Sequence, residues 1–310
     1  MKKGFTITEL LVAVGLLAAV FAVAGMIFNY SIDAQRTAAA TAEIMRTLRA
    51  ITDQLSINLG GLKKDGYLIL WSQQATAPAT DRLDALYFFG GFAANHFQSW
   101  YDPTKWSSEA RIFLGHSQAT YVAGELPGDL ALDFLLLVPG LPPPPPSIPD
   151  CCATDFATCR PHMTGMANPI ISLGVGGEVP QNILSTARPE ANSTDVRSLL
   201  AQHVGSFEVE WTYGWFDSTA PDKILWWGIN NTFAASVGPN LVKSDGITPP
   251  TALEVADIIS YETPGPPYTV DWNTTNQADW PKALKFTFTL YDSKGIIKGG
   301  RTFEYIVYIN

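Results

Sequence analysis

Met1-Lys2-Lys3-Gly4-Phe5-Thr6-Ile7-Thr8-Glu9 opens the chain, and an uncharged apolar run follows from Leu10 to Phe28. A hydrocarbon core about 30 Å thick takes about 20 apolar residues in helical form. Leu10 to Phe28, extended by Phe5 to Thr8, meets that length. The cations ahead of it are Lys2, Lys3 and the α-amino group. Basic flanks stay on the cytoplasmic side, so this order places the bulk of the chain outside. A secretory signal would have a shorter apolar core and a small-x-small cleavage site. Here the run has no such stop, and its pattern continues into a helix.

Glu9 is the discriminating residue. A carboxylate in a membrane helix costs roughly 2.5–3.5 kcal/mol on insertion scales. A cation would offset that, and the most economical one is a free α-ammonium made by cutting the chain just upstream. With a cut between Gly4 and Phe5, Glu9 becomes the fifth residue, about one helical turn from the new terminus. It can then pair with its own amine or with that of a neighbouring subunit.

Lys2 to Ala13, read as Lys2-Lys3-Gly4-Phe5-Thr6-Ile7-Thr8-Glu9-Leu10-Leu11-Val12-Ala13, closely resembles the class III leader of type IV pilins and type II secretion pseudopilins. The resemblance implies a prepilin peptidase that cuts after Gly4 and N-methylates Phe5. It also implies that Glu9 neutralises the amine of an adjacent subunit during filament assembly. The competing reading is an uncleaved signal anchor with a chance glutamate. The fixed spacing of glycine, aromatic and glutamate disfavours it.

The helix is expected to run on to the first glycine pair. Ile44, Leu48, Ile51, Leu55 and Leu59 recur at three- and four-residue spacing, which makes one helix face. Ala38-Ala39-Ala40-Thr41-Ala42 has high helix propensity. No proline interrupts Met1 to Gly61, and Gly60-Gly61 is a carboxy-terminal stop. The expectation is one helix from about Phe5 to Leu59, roughly 80 Å long. Its first half, about residues 7–29, crosses the membrane or forms a filament core, and its second half packs on a head.

Composition bounds that head. The chain has 310 residues, 46% of them hydrophobic, and a net charge of −9. That supports one globular domain beside the membrane segment. The acidic balance and the lack of a basic stripe argue against a nucleic-acid partner. Nine Trp, eleven Tyr and sixteen Phe, with 25 Gly and 22 Pro, point to strands and turns. Strands are expected at 66–71, 82–89, 119–123 and 130–138. Phe207 to Trp215 alternates with period two, with Ile224 to Trp227 as its neighbour. Lys285 to Tyr291, a turn at 292–295, and Arg301 to Ile309 read as a closing antiparallel meander. Ser193 or Thr194 is expected to cap a short helix running to about Val204. Pro139 to Pro180, with polyproline at 142–146, reads as a surface insertion.

Two segments narrow the resemblance. Leu199-Leu200-Ala201-Gln202-His203-Val204-Gly205-Ser206-Phe207-Glu208-Val209-Glu210-Trp211 resembles the central strand entry of J-type minor pseudopilins and related minor pilins. Trp280-Pro281-Lys282-Ala283-Leu284-Lys285-Phe286-Thr287-Phe288-Thr289-Leu290 resembles their late strand. The resemblance implies an α+β, pilin-like fold: a leader at 1–4, a long helix at 5–60, and an antiparallel β-sheet head at 61–310. It implies a structural subunit that primes or tips a type II secretion-like filament in the bacterial inner membrane, single-pass, with the head in the periplasm or outside. Its partners would be other pseudopilins or pilins and the prepilin peptidase. Neither catalysis nor a cofactor is expected. The rivals are a minor type IV pilin for adhesion or DNA uptake, and a signal-anchored extracellular enzyme or binding head. Trp211, Trp215, Trp226 and Trp227 motivate the last, although at strand spacing they are better read as core.

Cys151, Cys152 and Cys159 all lie in the insertion. Either Cys151 or Cys152 can bridge to Cys159 and leave one thiol over. Zinc with His162 as fourth ligand is the alternative, but adjacent cysteines chelate one ion poorly. The other histidines, His96, His116 and His203, are scattered. Ser117, after Gly115 and His116, lacks the flanking glycine pattern of a nucleophile elbow, and Gly174-Val175-Gly176-Gly177 lacks the lysine and following helix of a phosphate loop. Asp271, Asn273, Asn276 and Asp279 are oxygen donors of the kind calcium takes. Calcium in late loops of some pseudopilins adds to that reading, but a solvated polar turn between Tyr268 and Trp280 is favoured.

Overall fold

The computed structural model describes residues 6–72, 82–92, 96–99, 103–116, 128–137, 151–152, 199–217, 220–228, 241–242, 268–272 and 280–309. Among the described residues one helix, α1 (Ile7–Gly60), precedes fourteen strands. These are β1 (Leu68–Ser72), β2 (Ala85–Gly91), β3 (Phe97–Gln98), β4 (Trp106–Ser107), β5 (Glu109–His116), β6 (Gly128–Leu137), β7 (Cys151–Cys152), β8 (Leu199–Thr212), β9 (Phe216–Asp217), β10 (Ala220–Ile224), β11 (Leu241–Val242), β12 (Tyr268–Trp272), β13 (Ala283–Leu290) and β14 (Arg301–Tyr308). The class is α+β.

A nine-stranded sheet carries the head, in the order β12-β1-β2-β5-β6-β8-β13-β14, with β7 also on β6. Every pair along that path is antiparallel. The small strands β9, β10 and β11 form a second sheet, and β3 pairs β4. β13 and β14 pair without a slip from Ala283↔Tyr308 to Leu290↔Arg301, which is the expected closing hairpin. Their turn is set by Gly295 at φ +62° and Gly300 at φ +63°, the left-handed region that glycine enters without a Cβ penalty.

The sheet is buried on both faces over its first half. Leu68, Leu70, Leu86, Phe88, Ile112 and Leu114 join the core that also holds Ile44, Ile51, Leu55 and Leu59 of α1. The alternate residues Tyr67, Ile69, Tyr87, Phe89 and Phe113 form a separate cluster. Successive strand side chains point to opposite faces, so these two clusters are the two sides of one sheet. At β8 and β13 the core residues are Phe207, Val209, Trp211, Phe286 and Phe288, and the opposite face is polar, with Glu210 paired to Lys285 at 2.5 Å.

Three sequence expectations are corrected. The short helix to Val204 is not there over 199–204: those residues begin β8, paired to β6 and β13. Ladder hydrogen bonds to two neighbours outweigh a local helical preference, and Ser193 and Thr194 lie outside the described residues. The ladder slips where β8 meets both neighbours, and His203 takes φ +59° there, a bulge in an otherwise regular strand. Asp271 is not in a loop: it lies inside β12, opposite Ile69 of β1. The helix also starts later than Phe5, because Thr6 is extended, at φ −83° and ψ 149°. The strand expected at 119–123 and most of the insertion at 139–180 lie outside the described residues. Cys151 and Cys152 are the exception: their backbone runs parallel to Leu136 and Leu137 of β6.

Candidate membrane and assembly interface

α1 starts with a reciprocal cap. The Glu9 backbone N–H donates to Thr6 Oγ1 at 3.3 Å, and the Thr6 N–H donates to Glu9 Oε2 at 3.0 Å. The Thr6 hydroxyl also donates to that carboxylate oxygen at 2.9 Å. This Thr-x-x-Glu box satisfies donors that a helix start leaves without intrahelical partners. The carboxylate also lies at the positive end of the helix dipole. Sequence reasoning singled out Glu9 and missed Thr6, although the four-residue box is legible in the sequence once a cap is sought. Gly4 and Phe5 lie outside the described residues.

From Ile7 to Ser31 every helix residue is exposed. Leu11, Leu17, Phe21, Ile27 and Phe28 are among the large apolar side chains left open. The helix is long and apolar enough to cross a membrane, and none of its most apolar stretch is buried. Contiguous exposed apolar surface of this extent marks a lipid or protein contact.

From Ala40 onward the same helix changes partner. Ala40, Ile44, Ile51, Leu55, Asn58 and Leu59 are buried. Asn58 keeps its amide satisfied within the helix, on the Gln54 carbonyl at 2.8 Å. Polar ties fix the rotation of this half. Arg301 at the foot of β14 reaches Thr41 Oγ1 at 3.4 Å. The Ser293 N–H donates to Glu43 Oε1 at 3.1 Å. The hydroxyls of Ser56 and Tyr305 meet higher up. The turn that makes the middle contact is itself braced. The Asp292 carboxylate, 3% exposed, accepts from the backbone N–H groups of Lys294, Ile296 and Ile297 at 2.9–3.2 Å. Burial works against its charge, but those N–H groups outweigh burial, and the carboxyl stays below the usual carboxylate range.

Among the described residues the head's other sequence candidates do not converge. Trp211, Trp215 and Trp227 are core, as their strand spacing predicts. Tyr213, Trp215 and Trp227 lie 5.3–5.7 Å apart centroid to centroid, so each ring fills its neighbour's face. Trp226 is half-buried beneath the Lys285 ammonium, 5.1 Å from its centroid. His116 is buried with Nε2 at 2.9 Å from the Gly205 carbonyl and 3.1 Å from that of Val204. His96 is exposed and stacks on Phe92. Among the described residues no group of three or more His, Cys, Asp or Glu could hold a metal. Cys159, His162, Asn273, Asn276 and Asp279 lie outside them. An ion pair the sequence reading missed locks the sheet: Arg82 and Asp84, 4% and 0% exposed, pair at 2.5 Å, and the Val209 N–H donates to Asp84 at 2.7 Å.

The chain shows no match to a protein-family model, to a curated protein or to a solved structure.

Proposed function

We propose that this chain is a membrane-anchored structural subunit of a pilus-like filament, most like a J-type minor pseudopilin of a type II secretion system. One observation carries the reading. A single uninterrupted helix is bare and apolar from Ile7 to Ser31, yet packs on a β-sheet head from Ala40 onward. An anchor alone needs only the bare half. A subunit that must transmit position from a helix bundle to a head needs both halves rigidly joined.

Glu9 sets axial register in this reading. Prepilin peptidase cuts between Gly4 and Phe5 and methylates the new amine. Thr6, whose N–H already sits 3.0 Å from the Glu9 carboxylate, is the next residue along. A cation made at Phe5 would come directly before the N–H that this carboxylate already holds, and the amine of a neighbouring subunit can serve the same carboxylate. A charge left in the bundle without its mate costs several kcal/mol. The apolar faces of adjacent helices bury one another, and the head stands on the far side of the inner membrane, helping folded cargo leave.

The deciding measurement is the mass of the mature amino-terminal peptide. It should start at Phe5 and carry one added methyl group. A protein from its host that keeps Met1 to Gly4 overturns the proposal. Glu9→Ala should be processed normally and fail to join filaments. Normal incorporation removes the register role.

A further inference from the structure

β14 (Arg301–Tyr308) ends the main sheet, and its outer side is built to take another strand. The Ile309 N–H donates to the Lys282 carbonyl at 2.8 Å, and the register runs unbroken from Ala283↔Tyr308 to Leu290↔Arg301. Opposed residues of an antiparallel pair alternate between bonding each other and pointing away. The odd-numbered residues of β14 therefore spend their N–H and C=O groups on β13, and Thr302, Glu304, Ile306 and Tyr308 turn theirs outward. All four are exposed, Ile306 to 40% and Tyr308 to 68%. Among the described residues no strand lies on that side. Edges that face water are normally guarded by proline, lysine, a bulge or shortness. β14 is eight residues long, with no proline, lysine or register slip, and is rich in strand formers: Phe303, Tyr305, Ile306, Val307 and Tyr308.

The direction of β14 narrows what can fill this edge. The strand runs alongside α1 and away from its bare half, from Arg301 at Thr41 to Tyr305 at Ser56. With the bare half in a membrane, the open side faces along the membrane surface, where neighbouring anchored chains stand. Every pairing on the main path of this sheet is antiparallel, and a strand added in the same way runs toward the membrane. A second copy cannot supply it from its own β14. Antiparallel pairing of β14 on itself sets two α1 helices in opposite directions, and one membrane cannot hold both anchors.

The rims of the edge define the missing strand. Ile306 and Tyr308 leave apolar surface open at the end far from the membrane. At the foot Lys298 and Arg301 are exposed, and neither has an ion-pair partner among the described residues. Glu304 stands between, and like charges opposite each other in a sheet repel. We infer that the open edge of β14 accepts an antiparallel strand from a different subunit anchored in the same membrane. That strand is apolar where it meets Ile306 and Tyr308, carries no acid opposite Glu304, and is acidic at its membrane-side end. Backbone hydrogen bonds supply the affinity and the alternate side chains supply the selection. The choice of an anchored neighbour rests on the membrane-anchored part of the proposed function, whereas the open edge does not.

The first test adds a peptide of alternating valine and threonine, ending in two aspartates, to the full chain in neutral detergent micelles. Hydrogen–deuterium exchange resolved to single amides is the readout. Thr302, Glu304, Ile306 and Tyr308 should slow several-fold, while Phe303, Tyr305 and Val307, already bonded to β13, stay unchanged. The same peptide with its aspartates first should protect less, and equal protection by the two removes the acidic end. Glu304→Pro, which deletes an outward N–H and no bond to β13, should abolish the slowing. Ile306→Lys, which keeps the backbone intact and guards the edge, should do the same. Even-numbered amides that ignore the peptide overturn the inference. Slowing with protein concentration alone also overturns it, because the edge would then take a second copy. In host membranes, a photo-crosslinking side chain at position 306 should join this chain to a protein with its own membrane anchor. An adduct with a soluble exported protein overturns the choice of partner. A chain that stays out of membranes counts against the anchored reading, and the amide pattern then still decides the edge.

Discussion

The two halves of α1 invert the usual relation between apolarity and burial. Ile7 to Ser31 is the more apolar half and buries nothing within the chain. Ala40 to Gly60 is interrupted by Glu43, Arg46, Arg49 and Asp53, yet supplies Ile44, Ile51, Leu55 and Leu59 to the core. The difference lies in pattern. A helix with polar residues on one side and apolar on the other can satisfy itself against one sheet face. A helix apolar all round has no side to leave in water, so it needs a surrounding apolar medium of lipid or other helices. The chain folds one half and leaves the other for a partner.

Substitutions matched across the two halves test this directly. Ile51→Ala should cost the head about 2–5 kcal/mol, because it opens a cavity under the sheet. Leu17→Ala should leave the head within about 0.5 kcal/mol of the parent. Urea unfolding in detergent, followed by the buried tryptophans of the head, measures both. Equal effects at the two sites would mean that the first half also packs on the head.

The junction between the halves gives the next effect in size. Asp292→Ala leaves the N–H groups of Lys294, Ile296 and Ile297 without their carboxylate in the turn that donates to Glu43, and should cost about 1–3 kcal/mol. Its acid dependence has a definite sign. The folded carboxyl is held below its ordinary value, so its contribution is complete above the unfolded pKa near about 4. That contribution is lost as pH falls from there through the lower folded value. The parent should weaken across this acid window, and Asp292→Asn should show a flatter profile over it. Parallel profiles would remove the role given to the carboxylate.

The smallest effect belongs to the start of the bare half. Thr6→Ala removes half of the capping box and should cost the first turn about 0.5–2 kcal/mol. Amide exchange should quicken at the amino-terminal end of α1 and stay unchanged past Ala40. Faster exchange in the head would show that the two halves are coupled more tightly than their separate packing implies.

Much of this was legible along the chain because its physics is local. Helix propensity, the three-and-four spacing of Ile44 to Leu59, and the Gly60-Gly61 stop act within a few residues of each other. So does the alternation of Lys285 to Tyr291, which with the turn at 292–295 marks the last hairpin, whose register the structure supplies. Residues 199–204 follow a local helix-cap signal at Ser193 or Thr194, while their fate is set by β6 and β13, far away in sequence. Asp271 was grouped with loop asparagines for the same reason, since only pairing with β1 makes its segment a strand.

The amino acids alone decided that one long helix would begin near a membrane-length apolar run with a glutamate at its head. Hydrocarbon thickness and helical rise are fixed numbers, and the residues meet them without reference to anything distant. Only the folded chain decided where that helix stops being bare, which turn grips it, and that Arg82 and Asp84 are shut inside the sheet. Those outcomes depend on surfaces that exist only after strands remote in sequence have paired.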